Sequence, residues 1–240
     1  MRYMGSKSRI AKYIIPIMQA HRKEGMTWVE PFVGGANVID KVGGKRIGAD
    51  NNKYLIALFK ELQKGYKPLI GISKEEALKV KENKDKYPDY YVGWVGFTAL
   101  CYRGMFMNGY SGKEYKEGTS KSRNYMIECS NNILKQLNNI KGVNFVYSDY
   151  KDLYIPSNSL IYCDPPYKNS TGYITGNFNH DEFWEWCRNK AREGYKIFIS
   201  EYVAPSDFKC LWSKEIKCGL GHRENRKSID RTEKLFTYEC

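Results

Sequence analysis

Leu160-Ile161-Tyr162-Cys163-Asp164-Pro165-Pro166-Tyr167 is the stretch of this sequence with the most chemistry in it. An apolar run ends in Asp164, and in an open α/β sheet that places the carboxylate at the carboxyl edge of the strands, where ligands bind. Two prolines fix φ and withdraw two backbone donors, so the carbonyls there stand open. Tyr167 adds a planar face. A carboxylate, a stiff carbonyl and an aromatic ring suit a flat base with an exocyclic amine, which donates to Asp164 and to the Pro165 carbonyl while the base stacks on Tyr167. Such an amine, as at adenine N6, is conjugated into its ring and is a poor nucleophile. Two acceptors on its hydrogens draw the nitrogen toward tetrahedral geometry and localise its lone pair for in-line attack on a methyl group. The gain is positional and electrostatic and needs no metal or covalent enzyme intermediate. The alternatives are a cytosine amine served by the same acceptors, and a rigid Asp-Pro-Pro turn with no chemistry.

A second group precedes it. In Glu30-Pro31-Phe32-Val33-Gly34-Gly35-Ala36-Asn37-Val38, Gly34 and Gly35 permit a tight turn whose N–H groups can approach a ligand. Asp50 ends the next apolar run, sixteen residues after Gly34. In nucleotide-binding α/β folds an acid there accepts from ribose hydroxyls, so the pair fits an adenosine-containing cofactor. The full G-x-G-x-x-G and the phosphate-loop pattern are both absent, which disfavours a dinucleotide or a triphosphate.

The elements that must position these groups follow from periodicity. Ser6 precedes an apolar spacing of three to four (Ile10, Tyr13, Ile14, Ile17, Met18) that predicts a helix. Strands are predicted at Thr27 to Phe32, Arg46 to Asp50, Val143 to Tyr147, Ser159 to Asp164 and Lys196 to Ser200. Helices are predicted at Lys53 to Gln63, after the capping box at Ser73, and around His180 to Arg192. This alternation predicts an α/β fold, a Rossmann-like parallel sheet with helices on both faces. Residues 60–140 are more helical and irregular and are expected to be an insert, with 1–59 and 141–240 as the cofactor half and the catalytic half of the surrounding domain. Arg103 to Tyr125 reads as a loop.

Composition sets the remaining bounds. The chain has 240 residues, 39 Lys+Arg against 27 Asp+Glu and a net charge of +12, which favours a polyanionic partner. Residues 1–23 carry six basic residues and no acid. Residues 102–126 carry five (Arg103, Lys113, Lys116, Lys121, Arg123) against Glu114 and Glu117, interleaved with Tyr102, Phe106, Tyr110, Tyr115 and Tyr125, a mixture suited to phosphate and base contacts. Arg103, Lys113 and Arg123 are the candidate contacts to such a polyanion. Seven cysteines, an odd number without a C-x-x-C pair, argue against a zinc site or a disulfide framework and fit reduced thiols in the cytoplasm. The longest apolar stretch, Tyr13 to Met18, is too short for a membrane span or an export signal.

With these motifs in this order, the sequence resembles the Dam-like DNA adenine-N6 methyltransferases. The resemblance covers nearly the whole chain: Phe-Val-Gly-Gly, a variable insert as target-recognition segment, then Asp-Pro-Pro-Tyr. It implies transfer of a methyl group from S-adenosylmethionine to adenine N6 in double-stranded DNA by base flipping, leaving S-adenosylhomocysteine, with no metal. Tyr3-Met4-Gly5-Ser6-Lys7 matches the family's N-terminal cofactor motif, which implies cofactor contacts from Tyr3 and Lys7. Phe32, Gly34 and Asp50 would bind the cofactor too, Asp149 would lie near its adenine ring, and Asp164 would stand between cofactor and base, with Pro165 and Tyr167 completing the catalytic set. Phe198-Ile199-Ser200-Glu201 and Arg231-Thr232-Glu233-Lys234-Leu235-Phe236 resemble later strands of the family. Gly-Gly-Ala-Asn departs from the usual Gly-x-Gly, and beyond Asn108-Gly109-Tyr110 the insert does not match the pattern that accompanies GATC recognition. A catalytically silent DNA-binding protein of the same fold is the rival from another class. A monomer is expected, and a partner restriction nuclease is left open.

Overall fold

Five parallel strands make up most of a seven-stranded sheet in the order β5-β2-β1-β6-β7-β9-β8. They are β1 (Thr27–Glu30), β2 (Arg46–Asp50), β5 (Val143–Tyr147), β6 (Ser159–Cys163) and β7 (Lys196–Glu201); β8 (Lys209–Cys218) and β9 (Ile229–Thr237) form an antiparallel addition at one side. The computed structural model describes residues 1–117, 121–167, 178–218 and 229–239, and of 114–117, 121, 122, 216–218 and 229–231 the backbone alone. No helix among the described residues is long and apolar enough to cross a membrane.

The inner strands are apolar because both faces of the sheet are covered. Alternate residues serve opposite cores. Trp28, Leu160, Tyr162, Phe198 and Leu235 enter one core, shared with α1 (Ala11–Gln19), α2 (Lys53–Gln63), α4 (Asp89–Phe97) and α5 (Tyr125–Ile140). Val29, Ile161, Cys163, Ile199 and Phe236 enter the other, shared with α6 (His180–Arg192).

Every strand predicted above is found, with ends moved by one or two residues, and so are the helices, except that Ser6 caps a short 3-10 turn (Lys7–Arg9) and α1 begins only at Ala11. Ser73 caps α3 (Lys74–Glu82) by accepting from the Glu76 N–H. Three features differ from expectation. The sheet is mixed, because β8 and β9 close its edge; β8 is polar and irregular, with a bulge between Cys210 and Trp212, and gives little period-2 signal. The 103–125 segment is not all loop, since β3 (Glu114–Glu117) and β4 (Lys121–Asn124) pair as a hairpin whose strands are too polar to be legible. The expected boundary at 59/60 falls inside α2, and α4 of the insert buries Trp94 and Phe97 in the same core as Trp28.

Candidate active site

Each of the five parallel strands ends in, or within two residues of, an acid: Asp149 after β5, Asp50 on β2, Glu30 on β1, Asp164 after β6 and Glu201 on β7. The sheet order therefore sets a row of carboxylates along one edge. Above it lies a cleft of about 250 Å³, lined by all seven predicted cofactor residues: Tyr3, Lys7, Phe32, Gly34, Asp50, Asp149 and Asp164. A row of this sign suits a ligand that carries positive charge.

The turn after β1 is built around Asp50. Its Oδ2 accepts from the Gly34 N–H (3.0 Å) and its Oδ1 from the Asn52 N–H (2.9 Å), so the acid templates the turn and keeps a second lone pair on each oxygen. Burial pushes its carboxyl up to about 6, against the pull of these two donors. Gly34 has φ +44°, and a Cβ there would lie 2.9 Å from the Tyr3 ring; a Cβ on Gly35 would lie 2.6 Å from Asn37 Nδ2. Glycine is needed at both positions because Tyr3 of the N-terminal motif packs directly on the turn. Where the family's second glycine is usual, Ala36 takes the left-handed conformation at φ 54°. Gln136 of α5 braces the turn from behind, donating to the Ala36 carbonyl (2.8 Å), the Gly35 carbonyl (3.2 Å) and Asp40 (2.9 Å).

The two ends of the cleft differ in chemistry. Phe32, Tyr150 and Phe178 form an aromatic wall, with Phe32–Tyr150 centroids 5.2 Å apart, next to Asp149. At the other end Lys7 Nζ lies 2.9 Å from Asp164 Oδ1 and 3.9 Å from Glu233 Oε2, and also donates to the Gly5 carbonyl (3.0 Å). Burial opposes the Lys7 ammonium, but Asp164 and Glu233 outweigh it and its pKa is raised. Burial pushes the Asp164 carboxyl up to about 6, with Lys7 pulling it down and Glu233 pushing it up. At neutral pH the two form an ion pair. Glu30, 3% exposed, also lines the cleft and accepts from Trp28 Nε1 (2.8 Å); burial raises its pKa well above the ordinary carboxylate range.

Tyr167 is not the open platform expected from the motif. Its ring is only 8% exposed, Lys7 Nζ lies over it at 4.3 Å, Tyr202 meets it T-shaped at 4.4 Å, and its hydroxyl donates to Glu233 (2.8 Å). Pro165 is buried beside it, and Pro166 lines the cleft. Among the DNA candidates, Arg103 is exposed at φ 59° next to Gly104 and Met105, which line the cleft. The Gly104 carbonyl accepts from the Met4 N–H (3.0 Å), which ties the insert to the N-terminal motif. Lys113 is exposed just before β3. Arg123, on β4, forms a two-pronged bond to Glu128 (2.9 and 3.1 Å) that offsets its charge. The side chains of Tyr115, Lys116 and Lys121 lie outside the described residues.

Sequence reasoning missed three residues. Glu30 carried a legible signal, an acid closing a strand, as at Asp50 and Asp164. Gln136 and Glu233 are ordinary polar residues whose partners lie 100 and 66 positions away.

Residues 3–95, which hold the N-terminal motif, the glycine turn and Asp50, match the family model of the D12 class N6 adenine-specific DNA methyltransferases. Over these residues the chain is similar to that family. It is 25% identical over 239 residues to the type II methyltransferase M.MjaIII of Methanocaldococcus jannaschii, covering 83% of this chain and 82% of that one. It is 28% identical over 214 residues to the type II methyltransferase M.FokI of Planomicrobium okeanokoites, covering 78% of this chain and 31% of that much longer one. A crystal structure of SMU.472 complexed with SAH aligns over 99% of this chain and 54% of that one, at 11% identity and a TM-score of 0.38, too low to bear on the fold. The enzyme is thus an adenine-specific DNA methyltransferase, and the Asp164 motif, which lies beyond the matched segment, takes its place in the site from geometry.

Proposed function

We propose that this methyltransferase takes its methyl group from S-adenosylmethionine and delivers it to an adenine flipped out of duplex DNA. The observation that carries the reading is the single cleft that joins the Gly34–Asp50 turn to Asp164. The residues fit the cofactor. Asp50 has lone pairs left for ribose hydroxyls, Phe32, Tyr150 and Phe178 offer a face for an adenine ring beside Asp149, and Tyr3 closes over the turn. The row of carboxylates complements a cationic ligand. When bound there, S-adenosylmethionine supplies an electrophilic methyl group.

The protein's own part is to present the base. Asp164 and the Pro165 carbonyl accept from the two hydrogens of N6 and aim the nitrogen lone pair. Asp164 is also the acceptor in reach of the proton that the nitrogen sheds after transfer. In this structure Lys7 holds the Asp164 oxygen that the amine needs. Glu233, 3.9 Å away, gives the ammonium a second carboxylate to move to. To stack on the base, as proposed, the Tyr167 ring must shed both Lys7 and Tyr202, and the stacking then offsets part of the few kcal/mol of unstacking. Arg103 and Lys113, at the insert's edge of the cleft, are the proposed DNA contacts, with Arg123 joining only on leaving Glu128. The working form proposed is a monomer, acting wherever the cell keeps its DNA. The type II relatives make a cognate restriction nuclease the partner to look for.

Nucleoside analysis of treated duplex DNA tests the reading. Wild type should yield N6-methyladenine and Asp164→Ala none, with the variant still folded. N4-methylcytosine in place of N6-methyladenine, or near-normal activity in Asp164→Ala, would overturn it.

A further inference from the structure

The register of the last two strands shows a feature that the cofactor cleft does not use. At the carboxyl edge of the sheet β7 stops at Glu201, opposite Lys234 of β9. The β8–β9 pair continues for five more residue pairs, from Lys214↔Glu233 to Cys218↔Ile229. At about 3.4 Å per residue this two-stranded arm rises roughly 17 Å past the edge where Asp164 sits. It stands on the β8 side of the cleft, while the insert stands on the β2–β5 side, where α4 packs on α2 and α5 leads into β5. Asp164, following β6, lies between these two walls.

At the base of the arm is a cluster of cations and aromatic rings that no other feature of the molecule accounts for. Tyr13 of α1 stacks on Trp212 of β8, with centroids 5.8 Å apart. Lys214 lies over the Tyr13 ring at 4.0 Å and donates to its hydroxyl (2.8 Å), and Lys12 lies over the same ring at 4.9 Å. Both lysines are exposed, and among the described residues neither has a carboxylate partner. Glu233, the residue opposite Lys214, is engaged instead by Tyr167 and Lys7. Two ammoniums held on a ring platform without counter-charge, beside the mouth of a site for a polyanion, are complementary to phosphates.

We propose that the β8–β9 arm is the second wall of the DNA cleft, and that Lys12 and Lys214, mounted on Tyr13 and Trp212 at its base, bind phosphates of the substrate duplex on the side away from the insert. The proposal rests on duplex DNA being the substrate.

The test is the salt dependence of binding to a random-sequence duplex of about 30 base pairs, read by fluorescence anisotropy between roughly 50 and 200 mM NaCl. Lys12→Gln/Lys214→Gln should bind more weakly at every salt, and its log–log slope should be shallower than that of wild type by about 2, close to one unit for each phosphate that is no longer neutralised. Lys64→Gln/Lys79→Gln is the control, because these lysines pair with Glu61 and Glu75 on helices remote from the arm; it should keep the wild-type slope. S-adenosylmethionine binding, measured by calorimetry, should be the same in both variants. An unchanged slope in the Lys12/Lys214 variant, an equal fall in the control, or loss of S-adenosylmethionine binding along with DNA binding would each overturn the proposal. A wild-type protein that neither binds nor methylates duplex DNA would overturn the substrate reading and this one with it.

Discussion

Lys7 sits 2.9 Å from one carboxylate and 3.9 Å from another, both partly shielded from water, and how its charge divides between them governs the corner proposed for catalysis. A buried cation with a single acid partner is locked to it, because leaving would strand two uncompensated charges at a cost of about 3–5 kcal/mol. With Glu233 as second partner, Lys7 can release Asp164 without that cost. Glu233→Gln should therefore leave Lys7 on Asp164 and lower kcat by about ten- to a hundredfold, with little change in the Kd for S-adenosylmethionine; Glu233→Asp should recover part of the loss. Steady-state kinetics together with calorimetry check this. A fall in cofactor affinity equal to the fall in kcat would instead mark Glu233 as merely structural.

The glycine turn works only because an element far away in sequence supports it. The carbonyls of Gly35 and Ala36 are satisfied by Gln136, 5% exposed on α5. A buried carbonyl left without a partner costs about 1–3 kcal/mol. Gln136→Leu, which keeps the bulk and removes the amide, should lower stability by about that amount and weaken S-adenosylmethionine binding several-fold, as read by urea unfolding and calorimetry. The effect would travel from α5 to the cofactor turn without any change in the residues that line the cleft. Through Gln136 and the tie between Gly104 and Met4, the insert shapes the cofactor site as well as flanking it.

At the scale of the whole molecule, three acids among the described residues stand out in how folding responds to pH: Glu30, which burial pushes well above the ordinary carboxylate range, and Asp50 and Asp164. Asp50 and Asp164 both have carboxyls raised to about 6, above the value near 3.9 of an unfolded chain. Each therefore binds its proton more tightly in the folded state. The stability this contributes is fully present below about pH 4 and is lost as pH rises through about 6. Urea unfolding of wild type and Asp50→Asn at pH 4.5 and pH 7 should show it: the difference between them should shift in favour of the variant at the higher pH. An unchanged difference would mean that Asp50 is not perturbed. Keeping acids ionised against this cost is the strain that a cationic ligand relieves, and it connects the stability of the fold to the site.

What the sequence determined by itself is local chemistry and its order along the chain. Apolar runs of four to six residues closed by Asp50 and Asp164, a Gly-Gly turn and the capping box at Ser73 each act through neighbours in sequence, so they could be read without coordinates. Those runs also implied the parallel sheet, because strands buried on both faces carry no polar alternation. The tertiary structure decided what depends on distant partners. It set five acids side by side by ordering the strands, turned the Tyr167 ring under Lys7, and joined Gln136 to a turn 100 residues away. It also raised β8 and β9 past the catalytic edge, because their length and register are set by pairing with each other and not by any pattern within either strand.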